Sequence, residues 1–154
     1  MSTRSTIVLE QDDGTYKTIY SHWNGYPDWN GDILLHHYQD EKKVARLLDQ
    51  GDISILRQNV GEKHNFDDHG DDAPAEKNNW TTFYKRDRGE EEVDAVTFKT
   101  LLEAINIDNW SDYIYVFKFP APDAKKRQWF FTGTDSPQKL EDLKLLTEDD
   151  VNKS

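Results

Sequence analysis

Tyr113-Ile-Tyr-Val-Phe-Lys-Phe119 and Gln128-Trp-Phe-Phe-Thr132 decide the fold class. Both runs are rich in β-branched and aromatic residues, the side chains that suit a pleated, half-buried surface. Pro120-Ala-Pro-Asp-Ala-Lys-Lys126 joins them, a connection of hairpin length whose prolines end the first strand. The spacing predicts that residues 113–119 and 127–132 pair as antiparallel neighbours. Upstream, Ile7-Val-Leu9 and Tyr16-Lys-Thr-Ile-Tyr20 flank Asp12-Asp-Gly-Thr15, whose Asp-Gly step suits a tight turn with positive φ. Alternation in the second strand puts Tyr16, Thr18, Tyr20 and His22 on one face and Lys17, Ile19, Ser21 and Trp23 on the other. Both faces are partly apolar, as expected of a central strand.

Between these hairpins the period changes. Ile33, Leu34, Leu35 and Tyr38 supply an apolar patch for one helix, and Asp40 is the expected N-cap of the next. Val44, Leu47 and Leu48 keep helical spacing up to Gly51, the expected C′ residue. Ile53-Ser-Ile-Leu56 reads as a short strand or an apolar turn, and Trp80-Thr-Thr-Phe-Tyr-Lys-Arg86 as a strand. Asp94 as N-cap, with Phe98, Leu101, Leu102 and Ile105 as one stripe, predicts a third helix with all four side chains buried. Ser136, Pro137, Leu140, Leu143 and Leu146 predict a C-terminal helix, and Thr147-Glu-Asp-Asp150 a capping box for a last turn. The expected architecture is a single α+β domain, a mainly antiparallel sheet packed with three to four helices in the order ββ-αα-β-α-ββ-α. Residues 1–135 form that domain, with a long acidic loop at about 61–78; residues 136–154 are a helical segment with a frayed end.

Charge narrows the partners. The 154 residues carry a net charge of -11, and residues 61–95 hold five basic and eleven acidic groups. That balance disfavours direct nucleic-acid or anionic-membrane binding. No apolar run is long enough to span a bilayer, and Met1-Ser-Thr-Arg-Ser-Thr6 leads into a strand and not a secretory signal. With no cysteine there is neither a disulfide framework nor a thiolate site, so a cytoplasmic protein is expected.

His22, Tyr26, His37, Arg86, Asp87, Arg88 and Glu90 form the most suggestive polar group. Two arginines around a carboxylate can clamp an anion, and a histidine can move a proton near neutrality. The plainer reading is an internal salt-bridge network that pins a strand end. Nothing supplies an activated nucleophile, a phosphate loop or a Walker lysine. His36 and His37 point about 100° apart on a helix and cannot share an ion. His64-Asn-Phe-Asp-Asp-His69 has metal-binding residue types, but adventitious binding is the better expectation, and Asp67, Asp68, Asp71 and Asp72 fail the EF-hand spacing. No metal or other cofactor is expected. Trp29, in a turn between Asp28 and Asn30, is the tryptophan expected to be partly exposed.

Thr3-Arg-Ser-Thr-Ile7, His22-Trp-Asn-Gly-Tyr-Pro27, Leu34-Leu-His-His-Tyr38, Gly51-Asp-Ile-Ser54, His64-Asn-Phe-Asp67 and Tyr84-Lys-Arg-Asp-Arg-Gly-Glu90 occur in that order. Together they resemble a family of small proteins encoded by tailed bacteriophages and prophages, over residues 2–118. The sequence departs from that pattern at Asn24, where the family has Asp, at Lys85, where it has Gly, and in its longer C-terminal part. The Asn24 departure removes a carboxylate from a possible polar site. The resemblance implies a phage origin and little chemistry. Two functions therefore stand. One is a non-catalytic acidic protein that binds a host protein or assembly with a basic surface, through Trp29, Asp67, Asp68, Asp71, Asp72, Glu91 and Glu92. The other is a small ligand-binding or catalytic protein whose site holds His22, Tyr26, His37, Arg86, Arg88 and Glu90.

Overall fold

The Asp13-Gly14 turn reverses the chain between β1 (Ser5–Glu10) and β2 (Tyr16–Ser21) in the computed structural model, which describes residues 3–67, 77–107, 111–134 and 139–152. Gly14 takes φ +86°, and the Asp13 carboxylate accepts the Thr15 amide at 2.9 Å. Register runs from Glu10↔Tyr16 to Ser5↔Ser21. β6 (Tyr113–Lys118) and β7 (Gln128–Gly133) are antiparallel neighbours, as their composition predicts. β6 also lies parallel to β1. With β3 (Ile53–Ile55), β4 (Thr82–Phe83), β5 (Val96–Phe98) and β8 (Lys144–Leu145), the result is an eight-stranded mixed sheet in the order β4-β3-β2-β1-β6-β7-β8, with β5 paired to the other end of β2. β2 is therefore central. β3 (Ile53–Ile55) runs parallel to β2 through Ser21↔Ile53, and β4 (Thr82–Phe83) is antiparallel to β3.

One sheet face carries Ile7, Leu9, Ile19, Tyr115, Phe117, Trp129 and Phe131 against α1 (Asp32–His37) and α2 (Glu41–Asp49). A single π-type turn, Pro27–Gly31, runs directly into α1. Asp40 caps α2, accepting the Lys42 amide; Val44, Leu47 and Leu48 are fully buried, and Gly51 beyond its end takes φ +85°. The opposite face carries Val8, Ile114 and Val116 under Ala104 and Ile105 of α4 (Leu101–Ile105).

Three local readings change. The predicted third helix divides into β5 (Val96–Phe98), antiparallel to β2, and the short α4. The helical stripe spans two elements, and the true start is Thr100, which accepts the Glu103 amide at 3.2 Å while its hydroxyl donates to the Glu103 carboxylate. Ile105 is buried, Phe98 and Leu101 are half-buried, and Leu102 is 47% exposed. Leu102→Ala is accordingly expected to change stability by less than about 0.5 kcal/mol in urea unfolding; a core-sized loss would return Leu102 to the interior. The predicted strand 80–86 stops at Phe83, and Tyr84–Arg88 is a helix, α3, closed by Gly89 at φ +74°. Its start is fixed by Asp87 reaching back to the Phe83 amide at 2.8 Å. In the C-terminal segment a 3-10 turn (Leu140–Asp142) precedes β8 (Lys144–Leu145), antiparallel to β7. Leu146 is buried there, whereas Leu140 is exposed. The Thr147–Asp150 capping box forms and opens α5 (Glu148–Val151). The Ser136 and Pro137 signals lie outside the described residues.

Candidate functional site

Arg86 and Asp87 are joined, but inward. The Asp87 carboxylate is fully buried and accepts from the backbone amides of Phe83 (2.8 Å) and His64 (3.0 Å) and from Arg86 Nε (3.0 Å). The remaining Arg86 donors reach the carbonyls of Val60 (2.9 Å), Gly61 (3.1 Å) and Thr81 (2.9 Å), and its guanidinium lies over the Phe83 ring. His64 is drawn into the same node. Its Nδ1 donates to the Glu62 carbonyl at 2.8 Å, and its Nε2 lies 3.2 Å from the Thr82 hydroxyl. This is the salt-bridge reading of the RDR stretch, and it leaves Arg86 no donor for an outside anion. Among the described residues, no group of three acidic or histidine side chains is placed to hold a metal ion.

The rest of the polar group divides. Arg88 pairs with Glu90 at 3.7 Å and lies over the rings of Phe66 and Tyr84. His22 shares a 2.7 Å hydrogen bond with the Tyr20 hydroxyl. Burial, and then the Arg4 charge, lowers the His22 pKa from its ordinary value. Beside them sits Asp52, absent from the sequence-level set, whose carboxylate accepts the Tyr20 amide at 2.9 Å. Burial, reinforced by the charges of Asp94 and Glu90, pushes Asp52 up to about 6 from 3.8. Tyr84, also raised by burial, is hydrogen-bonded to Ser54 and feels Glu90, Arg88 and Asp52. The parallel β2–β3 bridge and the β4–α3 turn bring residues 20, 52, 84 and 90 together, a juxtaposition with no local sequence signal. The arrangement can hold a proton near neutrality at Asp52.

That shift has a measurable consequence. The native state binds the extra proton between about pH 4 and pH 6, so stability falls as pH rises through that window. Asp52→Asn keeps an acceptor for the Tyr20 amide and removes the buried charge. It is expected to stabilise the protein by about 1–2 kcal/mol near pH 8, discounted for partial exposure, and to be neutral near pH 4. Urea unfolding of both proteins across that range measures it; a gain that did not depend on pH would place the carboxylate in solvent.

Other predicted residues lie apart. His37 is exposed on α1. Tyr26, 40% exposed, is the N-cap of the π-type turn. Trp29 is partly exposed, with the Arg57 guanidinium over its ring, and Trp23, with His22 against its ring, is more open at 42% exposed. Trp29 sits inside the π-type turn and packs one side against the α1–α2 core. Asp67, Glu91 and Glu92 are exposed, Glu92 at φ +62°; Asp68, Asp71 and Asp72 lie outside the described residues.

Two clefts escaped the sequence reading because their walls come from distant segments. A cleft of about 850 Å³ opens between the α1–α2 connection and β7–β8, walled by Leu35, Phe117, Trp129 and Leu146. At its mouth Arg127, only 7% exposed, is ringed by Glu10, Asp12 and Glu41 and lies over the Phe119 ring. A second, of about 560 Å³, is lined by Tyr26, Pro27, Asp28, Tyr113, Phe131, Lys144 and Asp150. Comparison of the chain with protein-family models, with curated proteins and with solved structures returned no match. Among the described residues no helix is long and apolar enough to cross a membrane.

Proposed function

We propose that this protein is a non-catalytic acidic binding protein whose partner is a protein with a basic surface. The observation that carries the reading is an asymmetry in how its charges are used. Arg86 and Arg127, the least exposed guanidinium groups of the ion pairs, are held by carboxylates and carbonyls of this chain, whereas Asp67, Glu91 and Glu92 face solvent outside any ion pair among the described residues. Two of the cations are thus spent inside the molecule, while these acids stay available at the surface. The resemblance to phage and prophage proteins makes the partner a host component, met in the host cytoplasm.

Affinity capture from host lysate with the full chain identifies a partner, and its association rate is then measured against salt. The Debye length falls from about 10 Å at 0.1 M to about 3 Å at 1 M, so association should slow steeply. Replacing Asp67, Glu91 and Glu92 by their amides should slow association more than it speeds dissociation, with thermal stability unchanged. A partner indifferent to both would overturn the proposal. The small-ligand reading would then move to the Tyr20–His22–Asp52 cluster, with His22→Ala and Arg88→Ala as its tests.

A further inference from the structure

The smaller cleft is built from five separate elements. The π-type turn with its N-cap contributes Tyr26, Pro27 and Asp28, β6 Tyr113, β7 Phe131, β8 Lys144 and α5 Asp150. Three aromatic rings and two carboxylates thus face one space of about 560 Å³. Aromatic faces attract cations through their quadrupole, and carboxylates add charge and acceptors; together they select an ammonium or guanidinium and repel anions.

The protein already seats a cation of that kind there. Lys144 Nζ lies 4.9 Å from the centre of the Phe131 ring and 3.9 Å from Asp150 Oδ1. The β7–β8 register, Phe131↔Lys144, puts that side chain at the cleft. Yet Lys144 is held loosely, with its side chain 64% exposed. Asp150 is fixed independently, because its other oxygen accepts the Thr147 amide at 2.9 Å. With Lys144 in place the lining carries one net negative charge among the described residues; with Lys144 swung into solvent those residues present two carboxylates and no cation.

We propose that this cleft receives a lysine or arginine side chain of the partner protein, and that Lys144 is an internal stand-in displaced on binding. The inference rests on the basic-partner reading and adds a contact point to it. The acidic exposed surface steers encounter, and the aromatic cleft holds one cationic side chain.

The test titrates hexalysine, hexaarginine and hexaglutamine into the full chain at low salt, by calorimetry and by the ring resonances of Tyr26, Tyr113 and Phe131. Lys144→Met should raise affinity for hexalysine and hexaarginine about fivefold, the weight of one cation–π contact relieved of its competitor. Lys99→Met, on an exposed site beside β5, makes the same change in net charge and should raise it much less. Asp28→Asn, which spares the α5 cap, should lower affinity by a similar factor, and hexaglutamine should not move the rings. Equal gains from Lys144→Met and Lys99→Met, or ring resonances unmoved at saturation, would overturn the cleft proposal and leave the basic-partner reading intact. A captured partner blind to salt would overturn that reading without altering the titration.

Discussion

Asp87→Ala will cost about 3–5 kcal/mol, because it removes one member of a buried pair and strands the other. Arg86 keeps its three carbonyl partners, but its charge loses the only carboxylate it reaches among the described residues. The amides of Phe83 and His64 lose their acceptor as well. Each orphaned buried donor is worth about 1–3 kcal/mol. A four-protein cycle separates the terms. If charge alone mattered, Asp87→Ala in an Arg86→Met background would be nearly free. The two amides predict instead that it still costs about 2 kcal/mol or more. Urea unfolding of the four proteins decides it, and a single-variant loss below about 1 kcal/mol would mean that water replaces the carboxylate.

The same node shows how far the sequence can be read. Arg86-Asp87-Arg88 looks like chemistry because charged triplets often are; that its first two members serve the backbone depends on carbonyls at 60, 61 and 81. The His22-Trp-Asn-Gly-Tyr-Pro27 stretch behaves alike. Asn24 takes φ +61°, a conformation Asn tolerates, which accounts for an amide there without any site. Gly25 is required because a Cβ would stand 2.8 Å from the Arg4 carbonyl carbon, and its own carbonyl accepts the Tyr115 hydroxyl at 2.6 Å. Local signals were legible where geometry is local. Asp13-Gly14, the Asp40 cap, Gly51 and the β6–β7 pair all follow from neighbours in sequence. The stripe from Phe98 to Ile105 misled because helical spacing does not reveal a strand claimed by the free edge of β2. The Tyr20–Asp52 contact and both clefts were illegible for a related reason. They exist only once β3, β8 and the π-type turn have been placed by tertiary packing.

Trp129 tests whether that tertiary placement depends on one side chain. It is almost fully buried, packs on Phe117 with ring centres 4.8 Å apart, and donates from Nε1 to the Tyr38 carbonyl at 2.8 Å. Its own carbonyl accepts the Leu146 amide at 2.9 Å, which ties down the C-terminal segment. Trp129→Ala should cost about 3–5 kcal/mol, the range for emptying an aromatic core site. Trp129→Phe retains most of the apolar contact but orphans the Tyr38 carbonyl, and should cost about 1–3 kcal/mol. The two variants also differ in reach. Removing the ring enlarges the larger cleft beneath Leu146, so the Leu146 amide should exchange faster in Trp129→Ala by more than the global loss requires. β8 would loosen with it, and with β8 the seat of Lys144 beside Phe131 and Asp150. The cation cleft should then lose hexalysine affinity in Trp129→Ala and keep it in Trp129→Phe. Leu146 exchange that followed global unfolding alone would mean instead that α5, anchored by the buried Val151, holds the segment without help from the tryptophan.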